Sequence, residues 1–198
     1  MGHNASASNA GQFHAVRFYD TKESLCRIVA EFLGEGFVIG QPGLVIATPE
    51  HCAGIVEELR ARHFDVDGLQ TAGDLLLLDA EETMSGFMVD GMPNAEMFKA
   101  KATEAISTVC RDRTDCTIRA YGEMVDLLWK KEHTVAAVRL EMLWNKLAMT
   151  HDFSLLCGYA MGNFYKDASI NEICQQHTHV IGAGGDVAPS PAKRNVVN

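Results

Sequence analysis

A three-layer α/β sandwich around a mainly parallel sheet is the fold this sequence predicts, on three observations. Apolar runs of strand length alternate with segments of helical period along most of the chain, the pattern of successive βαβ units. Two of those runs, LLLLDA and SLLCGY, are almost continuously apolar, as strands are when helices cover both faces. The chain of 198 residues, 47% of them hydrophobic, is long enough for one well-buried core. A single domain is expected over residues 13–181, between a small, polar N-terminal tail (1–12) and a C-terminal tail (182–198) rich in Gly, Pro and Ala.

The elements follow in order. HAVRFY is the first strand and runs directly into a helix whose apolar face is Leu25, Ile28, Val29, Phe32 and Leu33. Asp20 with Glu23 is expected to cap that helix. GLVIAT is the second strand. Thr48 then supplies an N-cap and Pro49 a first helical residue, and Cys52, Ile55, Val56 and Leu59 carry the second apolar stripe. LLLLDA is the third strand, and Phe98, Ala102, Ala105, Ile106 and Val109 mark a helix before the strand TIRAYGE. Ala136, Leu140, Leu143, Trp144 and Leu147 define a long helix ending near Met149, before the strand FSLLCGY. Ser169 and Glu172 open a short helix, and THVIG is the last strand. Ligands of open parallel sheets gather beyond the carboxyl ends of the strands. Those ends carry Tyr19 and Asp20, Thr48, Asp79, Gly122 and Glu123, and Tyr159, so this polar row is where a site is expected.

Charge and composition exclude several functions. A formal net charge of -9 argues against a nucleic-acid partner, because binding to phosphates depends on clustered Lys and Arg. The N-terminus lacks the basic and apolar regions of a secretory signal, and no apolar run is long enough to span a bilayer. Cys26, Cys52, Cys110, Cys116, Cys157 and Cys174 are scattered, without a CxxC pair or the spacing of a disulfide framework. This fits a reducing compartment, and a cytoplasmic location is expected.

Nucleotide chemistry finds no support at the first strand–helix junction. A phosphate loop needs glycines, so that backbone N–H groups converge, and a Lys followed by Ser or Thr. YDTKES offers no glycine, and Asp20 would repel a phosphate. Glu123, where a strand passes into a helix, can be a ligand-polarising carboxylate or general base, or simply an acid favoured by the helix dipole. Tyr121, Trp129 and Trp144 can line an apolar pocket or fill the core. Glu141 and Asn145 lie one turn apart and can bond back to a neighbouring loop. CQQHTH places Cys174, His177 and His179 close together. With Cys157 they form a candidate transition-metal or haem set, against the alternative of satisfied core groups. His14, alone at a strand start, reads as a hydrogen-bonded structural histidine unless it joins them. No Gly-x-Ser-x-Gly elbow is present, so a hydrolase would rest on Glu123.

The ordered series HAVRFYD, GLVIAT, LLLLDA, DGMPNAEMF, YGEMVDLLW, LEMLWNKLA, LLCGY and ICQQHTHVI resembles the MEDS domain, a sensory module named for methanogens, methylotrophs and a dichloromethane-responsive repressor. The resemblance implies a RecA/KaiC-like fold without a functional phosphate loop, used to sense small hydrocarbon derivatives. By motif position it points to His14, Phe18 and Tyr19, to Asp90 and Gly91, and to Gly122, Glu123 and Trp129. It points also to Glu141, Trp144 and Asn145, to Cys157 and Tyr159, and to Cys174 and His177. The expected ligand contacts are His14, Phe18, Tyr19, Tyr121, Glu123, Trp129 and Tyr159. Family members often carry an output domain, whereas this chain ends soon after the last motif. The expectation is therefore a stand-alone sensor without a cofactor, signalling through a kinase, an anti-sigma factor or a transcription regulator, with a homodimer implied by analogy. The alternatives are a metal-, haem- or redox-dependent sensor using Cys157, Cys174 and His177, and a residual NTPase or hydrolase.

Overall fold

The structure is a computed structural model that describes residues 13–111, 113–163, 170–181 and 187–189. Its elements are, in order, β1 (His14–Tyr19), α1 (Lys22–Val38), β2 (Gly43–Ala47), α2 (Pro49–Ala61), α3 (Val66–Ala72) and β3 (Leu75–Asp79). Next come α4 (Ala80–Ser85), the short strands β4 (Met88–Val89) and β5 (Met92–Pro93), α5 (Ala95–Cys110), β6 (Ile118–Gly122) and α6 (Met124–Lys130). The chain continues with α7 (Thr134–Leu147), β7 (Phe153–Ala160), α8 (Ile170–Gln176), β8 (His179–Ile181) and β9 (Val187–Pro189).

Seven strands form one sheet in the order β3-β2-β6-β7-β1-β8-β9, parallel except where β9 meets β8. The period-two alternation of side chains divides the core into two layers. Val16, Leu44, Ile46, Leu155, Cys157 and Tyr159 face α4 to α8, while Ala15, Tyr19, Val45, Tyr121 and Leu156 face α1 to α3. The α/β sandwich expected from the sequence is therefore the fold observed. The two continuous apolar runs occupy different places within it. SLLCGY lies in β7, buried near the centre of the sheet, whereas LLLLDA forms the edge strand β3, where only Leu75 is fully buried.

Local chemistry explains most boundaries. Thr48 caps α2 through its hydroxyl, with Pro49 at the first helical position, as the sequence implied. The cap of α1 is Thr21, which accepts from the N–H of Ser24 in a reciprocal capping box, so Asp20 is not the cap. The expected Ser169–Glu172 start of α8 lies outside the described side chains. Asp90 and Gly91 join β4 to β5 with positive φ at both residues, 49° and 77°, the geometry of a type I′ hairpin that the Asp-Gly pair favours.

Two expectations are corrected. Cys110 and Cys116 form a disulfide with Cα atoms 5.7 Å apart, because the loop between α5 and β6 turns back through left-handed residues at Arg111 and Asp115. Cysteine spacing therefore no longer argues for a reducing compartment. Val187–Pro189, assigned from composition to a tail, pairs antiparallel with β8, because backbone ladder bonds need no apolar side chains. Among the described residues no helix is long and apolar enough to cross a membrane.

Candidate functional site

The expected ligand contacts divide between two places in the fold. His14 and Tyr19 begin and end β1 and point to opposite faces of the sheet, so they belong to two separate buried clusters.

The first cluster stands at the carboxyl edge, on the face covered by α1 and α2. Glu123, 1% exposed, accepts from the backbone N–H of Thr48 at 2.6 Å, from His51 Nδ1 at 2.5 Å and from the Tyr121 hydroxyl at 3.0 Å. Burial works to raise its pKa. The bonds and charge of His51, with the Thr48 N–H, outweigh burial and hold the carboxyl below its ordinary range. Asp126 beside it accepts from the Tyr19 hydroxyl at 3.1 Å and from the N–H of Ala160 at 3.0 Å, and pairs with Lys130 at 2.7 Å. Burial, then the nearby Asp126 and Glu123, push the Tyr19 hydroxyl well above its usual pKa. This network ties β1, β2, β6 and β7 together at their carboxyl ends. An ionised carboxylate already held by three donors is poorly suited to general-base work, and it makes no cap bond to α6; its bonds instead anchor the end of β2 to the end of β6, a role that neither sequence reading named.

The second cluster lies under α7 on the other face. Glu141 is fully buried, and its Oε1 accepts from the Tyr159 hydroxyl at 2.9 Å. Its Oε2 is 3.2 Å from His14 Nε2 and 3.6 Å from Cys157 Sγ, and His177 Nε2 is 3.4 Å from Oε1. Burial opposes ionisation of Glu141, but His177 and His14 prevail and hold its carboxyl far below the usual range. Burial, with the His177 ring beside it, outweighs Glu141 and Asn145 at His14 and lowers that histidine's pKa. Burial and the Glu141 charge push the Cys157 thiol and the Tyr159 hydroxyl well up.

Beside this cluster, at the amino ends of β1 and β7, opens a cavity of about 280 Å³. Its apolar wall includes Phe13, Met149 and Phe153, and its polar groups include His14, Asn145 and His177. Asn145 links cavity and cluster: its Oδ1 lies 2.9 Å from His14 Nδ1, and its amide N–H donates to the carbonyl of Gln176 at 2.7 Å. Thr178 pins the chain after α8 to β1 by accepting from the His14 N–H at 3.0 Å and donating to the His14 carbonyl at 2.9 Å.

The remaining expected residues fall into place around these features. Phe18, Trp129 and Tyr159 form an aromatic group, with Phe18 and Trp129 each 6.2 Å from the Tyr159 ring. Trp144 packs edge-on to Phe98 at 5.0 Å and reads as core. Gly122 is buried at the end of β6, yet a Cβ built there meets no atom within 4 Å. Asp90 and Gly91 serve their hairpin. Of the cysteine–histidine set, His177 and Cys157 converge, whereas Cys174 is half-buried outside the group. His179 is also outside it, stacked on Phe13 at 4.9 Å and bonded to Thr178. Sequence reasoning missed His51 and Asp126. His51 in the first turn of α2, directly after a carboxyl-end strand, and the i,i+4 pair Asp126 and Lys130 were the available signals.

The β1–α1 junction does not fit a nucleotide phosphate. The Thr21 hydroxyl is used in the capping box, the Lys22 ammonium pairs with Glu50 at 2.9 Å, and no residue there has positive φ. Thr21 and Lys22 thus serve the start of α1 and its link to α2.

Comparisons with known proteins agree with this architecture. A KaiC-like protein from the hyperthermophilic archaeon Pyrococcus horikoshii OT3 superposes with a TM-score of 0.58 at 14% identity, over 86% of this chain and 71% of that one. At such identity the likeness shows the fold, which is RecA/KaiC-like. No curated protein matches the chain. The family model of the methanogen/methylotroph, DcmR sensory domain matches residues 13–178. With nearly the whole described fold inside that match, the chain belongs to the MEDS family of sensory domains.

Proposed function

We propose that this domain senses a small organic molecule in the cavity at the amino ends of β1 and β7 and passes the signal to a separate output protein, such as a kinase, an anti-sigma factor or a transcription regulator. The observation that carries this reading is the cavity itself. It is mostly apolar, it is sized for a small ligand, and the polar side chains of His14 and Asn145 stand at its inner wall, the usual composition of a small-molecule site. A second cavity of about 190 Å³ between α5 and α7 is edged by Glu96, Lys99 and Lys146 and lies away from both clusters. Signalling requires the ligand to favour one arrangement of the protein over another. The cavity is built from the end of α7, the end of α8 and the starts of two strands. A ligand seated there draws α7 and α8 together, and a partner can read their relative position.

Thermal-shift measurements on the intact chain, with a panel of short alcohols, halogenated alkanes and small carbonyl compounds, test this. The expected result is a rise in Tm with at least one class and its loss in Ala148→Phe, where the added ring fills the cavity. A panel with no effect, or a shift retained in that variant, would overturn the assignment of the site.

A further inference from the structure

We propose that His14 Nε2, His177 Nε2, Cys157 Sγ and a Glu141 carboxylate oxygen together hold one divalent transition-metal ion of the zinc class. The hydrogen bonds around the cluster fix which ring nitrogens carry protons. The Asn145 amide donates to Gln176, so its oxygen faces His14, and His14 Nδ1 must carry the hydrogen that bonds it. His177 Nδ1 faces the carbonyl of Ile173 at 2.7 Å and is likewise the donor. With both Nδ1 atoms engaged, the two Nε2 atoms are the ring nitrogens left to face Glu141 and Cys157, and each needs a partner in that space. His177 Nε2 shows the consequence. Its side chain is fully buried, and the nitrogen makes no well-formed hydrogen bond among the described residues.

A metal ion answers each of these points. All four donor atoms lie within 4.8 Å of one another. The closest separations are 3.2 Å from His14 Nε2 to Glu141 Oε2, 3.3 Å from His14 Nε2 to Cys157 Sγ and 3.6 Å from Cys157 Sγ to Glu141 Oε2, while His177 Nε2 lies 3.4 Å from the other carboxylate oxygen, Oε1. Ligands around a tetrahedral zinc at ordinary bond lengths stand about 3.3 to 3.7 Å apart. A thiolate, a carboxylate and two neutral imidazoles balance a divalent cation, and sulfur with imidazole selects zinc or cobalt over magnesium or calcium. The second shell is also present, because both histidines donate their other N–H to an oxygen and Tyr159 holds the free oxygen of the carboxylate. A haem does not fit, since its ring would have to pass between atoms this close together. On binding, the Cys157 thiol proton leaves to solvent and the sulfur–metal bond replaces it. The ion would sit behind the inner wall of the ligand cavity, held by β1, β7, α7 and the segment after α8. The inference is independent of the organic ligand, and metal content is read directly.

The test uses the untagged full chain, stripped with a chelator and titrated with Zn²⁺ and then Co²⁺. The expected result is one ion bound per chain, a higher Tm, release of about one proton per ion in weak buffer, and, for cobalt, a sulfur-to-metal charge-transfer band with intense tetrahedral d–d bands. Cys157→Ser should lose the charge-transfer band, and Cys174→Ser should keep it. Failure of the wild-type chain to take up stoichiometric metal would overturn the proposal whatever the variants do. So would a charge-transfer band that survives Cys157→Ser or disappears in Cys174→Ser.

Discussion

Replacing Glu123 by glutamine should expose how much the carboxyl-edge network contributes. The native carboxylate accepts three bonds, from the Thr48 N–H, His51 and Tyr121. Glutamine keeps one oxygen for Thr48 and places an amide NH2 where the second oxygen served His51 and Tyr121. Hydrogen bonds to a charged partner are worth about 1.5 to 3 kcal/mol and neutral ones about 1. Conversion of one bond to neutral and disruption of two others, partly recovered by rotation of the Tyr121 hydroxyl, gives a net loss of about 2 to 4 kcal/mol at pH 7. The pH dependence is diagnostic. The folded pKa of Glu123 lies below the reference value of 4.5, so its contribution is complete above that value and is lost as the pH falls through the folded pKa. Urea unfolding at neutral pH and at about pH 3 should therefore show the gap between wild type and Glu123→Gln narrowing in acid. A difference below about 0.5 kcal/mol at pH 7, or one of equal size at both pH values, would refute the claim that an ionised Glu123 fastens β2 to β6.

Three further outcomes are expected. Thr21→Ala should cost about 1 kcal/mol by chemical denaturation while Asp20→Ala costs almost nothing, since the hydroxyl of Thr21 makes the cap. Gly158→Ala should destabilise by about 1 to 3 kcal/mol, because its Cβ would stand 2.7 Å from the Tyr121 hydroxyl that Glu123 holds in place; a neutral result would show that Tyr121 is free to move. Gly91→Ala should cost about 1 kcal/mol, because a φ of 77° suits glycine and not alanine. Its added Cβ meets nothing within 4 Å, so the loss should appear in hydrogen exchange as faster opening of the β4–β5 hairpin.

The layered fold is legible in the sequence because its determinants are local and periodic. The strand at β7, the stripe of α7 and the Thr48–Pro49 start of α2 each carry their signal within a few neighbouring residues. The cap of α1 is ambiguous because Asp20 and Thr21 are both good capping residues one position apart, and the choice between them is made by where the chain leaves β1. The Cys110–Cys116 bond leaves no such trace, because spacing alone does not reveal that a loop reverses. The Cys-x-x-His-x-His run draws attention to the right neighbourhood, yet strand geometry sends His179 to Phe13 and brings in His14 and Glu141 from more than thirty residues away.

By itself the sequence determined the α/β class, most element positions, the lack of a glycine-rich phosphate loop at the first strand–helix junction and membership of a sensory family, because each rests on periodicity, turn chemistry or the order of motifs along the chain. Only the tertiary structure decided that His14 and Tyr19 serve different faces, that Glu123 is saturated by His51, Thr48 and Tyr121, and that two histidines, a cysteine and a glutamate meet beside an apolar cavity. The physical reason is parallel-sheet connectivity. Each crossover carries the chain over a helix before it returns, so the side chains that meet at a site come from strands and helices far apart in sequence, and their hydrogen bonds form once the sheet is assembled.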